Sequence, residues 1–114
     1  MTTKKSTSMS MSDKSLAFLE SLTDRKMTLG NLLWSIRECD EMSQAEFAKL
    51  LRVSRQYLCD IERGRRIVST KAAAEFANRL GYSPKQFIRL AIQDDLNKNG
   101  FYFDVEIHEK KKAA

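Results

Sequence analysis

Between Ser43 and Gly64 the chain starts a helix twice, which excludes one long helix there and leaves two short ones joined by a tight turn. The first start, Ser43-Gln44-Ala45-Glu46, is a capping box: the Ser hydroxyl and the Glu carboxylate each accept a backbone N–H that the first turn leaves unpaired. Phe47, Ala48 and Leu51 then form its buried face. Arg52-Val53-Ser54 breaks the periodicity, and Ser54 offers a fresh N-cap. In the second segment Leu58 and Ile61 form the buried side, Arg55 and Gln56 lead the exposed side, and Gly64 suits the left-handed residue past a helix end. With a small residue, Ala48, where the two helices nearly touch, this pattern predicts a helix-turn-helix. An ordinary helical hairpin would not require polar residues at the leading edge of its second helix, where a recognition helix first meets base edges.

The flanking sequence extends the helical array. Leu29, Leu32, Leu33 and Ile36 fall at i, i+3, i+4 and i+7, one stripe of a helix running from Thr28 to Asp40. Trp34 points away from that stripe, either as a partly exposed anchor or covered by residues 16–27. Past Gly64, Ser69 or Thr70 caps a helix with Ala73, Phe76, Ala77 and Leu80 inside, ending at Gly81. Ser83-Pro84-Lys85-Gln86 reads as a further start, with Pro at the first helical position and a Ser-x-x-Gln capping box. Its expected buried stripe is Ile88, Ala91, Ile92 and Leu96, and Asn99-Gly100 ends it.

The two ends differ from this middle. Residues 1–15 are rich in Ser, Thr and Lys without a periodic apolar stripe, which predicts a flexible tail. Leu16, Leu19, Leu22 and Met27 permit a short amphipathic helix, an N-terminal extension over 16–27. In residues 99–114, Phe101, Phe103, Val105 and Ile107 alternate with Tyr102, Asp104, Glu106 and His108, the pattern of a half-buried β-strand. A lone strand leaves backbone groups unpaired, so it should pair in a two-fold homodimer or with another protein, unless it packs on the helices without a ladder. The expected organisation is therefore an all-α fold: a helix-turn-helix domain over 28–98, a helical extension before it and one C-terminal β-strand after it.

Composition narrows the function classes. Lys and Arg exceed Asp and Glu by 20 to 15, a net charge of +5, with five basic against three acidic residues in 1–27, twelve against nine in 28–98 and three against three in 99–114. That surplus is compatible with phosphate binding only if the cations share a face. Cys39 and Cys59, both in helical patterns, make no disulfide framework, so reduced thiols in the cytoplasm are expected. No apolar run is long enough for a membrane span, and Lys4 and Lys5 lead into Ser, Thr and Met rather than an apolar signal region. His108 is the single histidine, with no Cys or carboxylate at ligand spacing, so neither a metal site nor a cofactor is expected. Without a paired-carboxylate cleft, a nucleophile–base constellation or a phosphate-cradling Gly loop, no enzyme is expected either.

The segment SQAEFAKLLRVSRQYLCDIERG, Ser43 to Gly64, closely resembles the lambda-repressor-like, or Xre, helix-turn-helix family, and the resemblance extends from Thr28 to Leu96. It implies a five-helix DNA-binding domain whose helix after Ser54 enters the major groove. Carried over by position, Ser54, Arg55, Gln56 and Asp60 face bases, Gln44 faces phosphate, and Arg37 and Glu62 match a buried salt bridge; Tyr57, Arg63, Arg65 and Arg66 are also expected on phosphates, with a solvated surface pair as the other reading of Arg65-Arg66. Glu41 and Arg52 depart from positions often occupied by Gly in the family, so Arg52 either adopts a left-handed conformation or sits in a somewhat different turn.

Taken together, the residues and the resemblance lead to the expectation of a sequence-specific double-stranded DNA-binding transcriptional regulator, a repressor acting as a homodimer. Two alternatives stand beside it. One is an antitoxin of a type II toxin–antitoxin pair, similar to HigA-type antitoxins, holding a cognate toxin through 16–27 or 101–107 and repressing its own operon. The other is a protein-interaction module, suggested by Asp60, whose carboxylate would repel phosphates unless it accepts from cytosine N4 or anchors Arg55 or Gln56.

Overall fold

The computed structural model describes residues 27–111, and each of its helices opens on a hydroxyl cap and closes on a left-handed residue. The helices are α1 (Leu29–Cys39), α2 (Gln44–Leu51), α3 (Arg55–Glu62), α4 (Thr70–Leu80) and α5 (Pro84–Lys98). Thr28, Ser43, Ser54 and Ser69 each accept the N–H three residues on, at 3.0, 3.1, 3.0 and 3.1 Å. At Ser43 the reciprocal bond, from its own N–H to Glu46 Oε1 at 2.9 Å, completes the capping box. Ser83 accepts instead from Lys85 N at 3.3 Å. The second capping box expected there does not form, because Gln86 Oε1 accepts from the Arg89 Nε–H further along α5.

At the other ends, the chain reverses through paired backbone bonds, as when Val53 N donates to Ala48 O and Arg52 N to Lys49 O after α2. Arg52 itself takes the left-handed conformation, φ 62° and ψ 43°, and Glu41 does the same after α1 at φ 56°. The helix ends therefore keep the geometry that glycine would serve, with side chains carrying the steric cost.

Phe47, Phe76, Leu29, Leu33, Leu51, Leu58, Ile61 and Leu90 form the centre of the core. Four of the helices and the start of α5 enclose it; α4 and α5 pack together most extensively, and Tyr82 stacks on Phe87 at the turn joining them, ring centroids 6.0 Å apart. The buried stripe of α5 is Phe87, Leu90 and Ala91, with Gln93 beside it, while Ile88, Ile92 and Leu96 are half-buried. The expected stripe of Ile88, Ala91, Ile92 and Leu96 is thus rotated. The next position of the true stripe is Asp94, whose polarity hides the pattern in the sequence. Its Oδ2 accepts the Leu29 N–H at 3.0 Å, so α5 caps the start of α1.

Burial pushes the Asp94 carboxyl up to about 6, against the opposing effects of that hydrogen bond and of the Arg89 charge. Arg79 of α4 plays a similar part at the end of α2, where its Nη1 donates to the unpaired Leu51 carbonyl at 3.0 Å.

Residues 101–111 form no strand, which corrects the expectation for Phe101, Phe103, Val105 and Ile107. A strand needs a ladder partner, and none lies among the described residues; one buried side chain takes its place. Gln93 Nε2 donates to Phe103 O at 2.7 Å, and Val105 N donates to Gln93 Oε1 at 2.8 Å. The Gln93 amide thus presents one donor and one acceptor, as a neighbouring peptide would. Val105 and Ile107 become half-buried while Phe101 and Phe103 stay exposed. The tail at 1–15 and the extension at 16–27, apart from the buried Met27, lie outside the described residues. Trp34 is 49% exposed.

Candidate nucleic-acid interface

Three helices are held in register by one buried carboxylate. Glu62, at the end of α3, accepts from Arg37 Nε at 2.8 Å and from Arg37 Nη2 at 3.0 Å, a bidentate pair linking α1 to α3. Gln44 Nε2, in the first turn of α2, adds a third bond to Glu62 Oε1 at 3.0 Å. Arg37 Nη1 also reaches the Met42 carbonyl at 3.1 Å, so the α1–α2 turn joins the same network. Donating to the Glu62 carboxylate raises the pKa of the Arg37 guanidinium above its ordinary value. Both charges are compensated where they lie, because neither partner is left without a donor or acceptor.

Close packing sets the same orientation. Gly30 of α1 lies against the backbone of α3, so near that an added Cβ would fall on the Ile61 carbonyl oxygen. Ala48 of α2 and Leu58 of α3 are both fully buried, seating one short helix on the other.

On this frame α3 presents its opening turn to solvent. Ser54 caps it, and Arg55 and Gln56 are both exposed. Arg55 has no ion pair or hydrogen bond among the described residues. Gln56 Nε2 donates to Asp60 Oδ1 at 3.0 Å, one turn along the helix. The same carboxylate oxygen lies 3.5 Å from Arg65 Nε. Of the alternatives open for Asp60, the structure thus has it anchoring Gln56, together with a cation beyond the helix end, and not Arg55.

The residues assigned to phosphate sort into several arrangements. Arg66 lies over the Tyr57 ring, its guanidinium carbon 4.8 Å from the centroid, which braces both side chains. Arg63 is exposed at the α3 C-cap, and Arg65 is exposed just after Gly64. Gln44 is half-buried and commits one amide hydrogen to Glu62. Arg52, which the sequence reading treated only as a departure from Gly, adds an exposed cation to the turn before α3. Its signal was a basic residue in a turn that ordinarily takes a small one. Gly30 and Gln93 carried no local signal, since what they touch is distant in sequence.

Among the described residues no group of His, Cys, Asp and Glu could hold a metal ion, and no helix is long and apolar enough to cross a membrane. The opening of α3 is thus a polar leading edge flanked by the exposed cations Arg52, Arg63 and Arg65, on a support held by the Glu62 network.

Residues 36–87, from the last part of α1 to the start of α5, match a family model described as helix-turn-helix. The match coincides with the capped pair α2 and α3 and supports the helix-turn-helix resemblance, and with it a DNA-binding regulator in general terms. No curated protein and no solved structure matches the chain.

Proposed function

We propose that the protein is a non-catalytic, sequence-specific regulator of transcription that binds duplex DNA and represses by occupying a promoter. In this reading α3 lies in the major groove, Arg55 reads guanine O6 and N7, and Gln56 reads adenine N6 and N7. Ser54 and Asp60 face the same groove. Gln44, Tyr57, Arg63, Arg65 and Arg66, joined by Arg52, neutralise phosphates and fix the register without reading sequence.

The observation that carries the reading is the exposure of Arg55 and Gln56 at the first turn of a helix whose pose is locked through Glu62. A helix already held in its pose leaves less to be ordered on binding. The protein-interaction alternative drew its weight from the charge of Asp60, and that carboxylate is occupied by Gln56 and Arg65. Two copies on inverted half-sites about 34 Å apart would add the affinity that one short helix lacks.

The test is a footprint and an anisotropy titration on the DNA upstream of the protein's own gene. A protected site with affinity that falls steeply as salt rises is the expected result, each phosphate contact contributing about 0.9 to the log–log slope. Absence of duplex binding at low salt would remove the proposal.

A further inference from the structure

We infer that Asp60 sets base choice without touching a base: it fixes the orientation of the Gln56 amide, so that this position accepts adenine and rejects guanine. The inference rests on the duplex-DNA reading above and deepens it at one site.

A carboxylate accepts hydrogen bonds and does not donate them, so only the nitrogen end of the Gln56 amide can face Asp60. That bond, Nε2 to Oδ1 at 3.0 Å, consumes one of the two amide hydrogens. When the hydrogen trans to Oε1 is the one given to Asp60, the remaining hydrogen and Oε1 share one edge of the amide, a donor beside an acceptor. Adenine presents the complement in the major groove, an N7 acceptor beside an N6 donor. Guanine presents two acceptors, O6 and N7, in the same place. A glutamine free to rotate can turn both amide hydrogens toward them. With one hydrogen held by Asp60, Gln56 meets guanine with its own oxygen against O6, and the contact is repulsive.

Asp60 is itself held. The same Oδ1 that accepts from Gln56 lies 3.5 Å from Arg65 Nε, and the Asp60 side chain is 25% exposed, so the carboxylate has a second partner. Such a charge also opposes the phosphates of any duplex. Removing it therefore has two effects of opposite sign: binding to unrelated DNA strengthens, and discrimination at one base pair weakens.

Titrations with a duplex set carrying every single-base change in the footprinted site test this, on wild type, Asp60→Ala, Asp60→Asn and Gln56→Ala. Gln56→Ala identifies the base pair that Gln56 reads. Asp60→Ala is expected to cut the adenine-over-guanine preference at that same pair by about tenfold or more while tightening binding to unrelated duplex. Asp60→Asn keeps an acceptor and loses the charge, so it tightens general binding and retains more of the preference than Asp60→Ala. Far-UV circular dichroism confirms that each variant is folded.

An unchanged preference in Asp60→Ala overturns the inference. So does a change at a different base pair, which would mean that Asp60 reads a base directly. Wild type that fails to bind any duplex would instead defeat the functional reading on which this one stands.

Discussion

Gly30→Ala separates two physical effects that predict opposite signs. Gly30 lies in the first turn of α1, and by helix propensity alone alanine there would stabilise the protein by up to about 1 kcal/mol. The structure opposes this. The new Cβ would fall on Ile61 O, with Ile61 C at 3.1 Å and Glu62 Cα at 3.3 Å. All three are backbone atoms of α3, which cannot swing aside as a flexible side chain could. Relief requires α1 and α3 to separate, yet Arg37, about two turns further along α1, clamps them through Glu62, and Ile61 O also accepts the Gly64 N–H at 3.0 Å.

Overpacking of this kind costs about 1–3 kcal/mol, and an immovable neighbour places this site toward the upper part of that range. The net expectation is a loss of about 1–2 kcal/mol, read as a lower urea midpoint by circular dichroism with an unchanged slope. An equal or higher midpoint would show that the α1–α3 approach does not constrain the frame.

Three further substitutions test other parts of the account. Arg52→Gly relieves a left-handed residue with an exposed side chain, so the urea midpoint should rise by the equivalent of about 1 kcal/mol; a fall would mean that Arg52 makes a stabilising contact. Asp94 has a folded-state pKa of about 6, above its unfolded value, so the native state holds the proton more tightly and stability falls as pH rises through the window between them. Asp94→Asn, which can still accept from Leu29 N–H, should lose on the order of 2 kcal/mol of the wild-type difference between about pH 4 and about pH 7.5; an identical pH profile would refute the burial argument. Gln93→Ala removes both bonds to the C-terminal segment, so the Val105 N–H should lose its hydrogen-exchange protection while the α4 core amides keep theirs; retained protection at Val105 would point to a ladder partner elsewhere.

What the sequence made legible was local. Ser43, Ser54 and Ser69 announce helix starts because each needs only its own next three residues to act, and each caps as expected. The exposure of Arg55 and Gln56 follows from the same local logic, since Leu58 and Ile61 fix which side of a short helix is buried. Relations across the chain were not legible. Asp94 looks like a surface residue until Leu29 is brought to it from 65 positions away, and that polar residue on a buried stripe displaced the reading of α5. Gly30 is one small residue in a helix until α3 passes beside it. At 101–107 the alternation matches burial only at Val105 and Ile107, since Phe101 and Phe103 stay exposed, and it does not say what supplies the hydrogen bonds; a single glutamine did so in place of a strand. The N-terminal extension lies outside the described residues except for Met27.

The central claim is that Arg55 and Gln56, projecting from a fixed α3, read bases. Its most direct measurement is the binding of wild type and Arg55→Ala to the footprinted duplex and to each of its single-base variants, at one salt concentration. The account predicts that Arg55→Ala loses about 1–3 kcal/mol on the preferred duplex and little on the variant altered at one base pair, so that discrimination relaxes there and nowhere else. An equal loss on every duplex would place Arg55 on phosphate and contradict the claim.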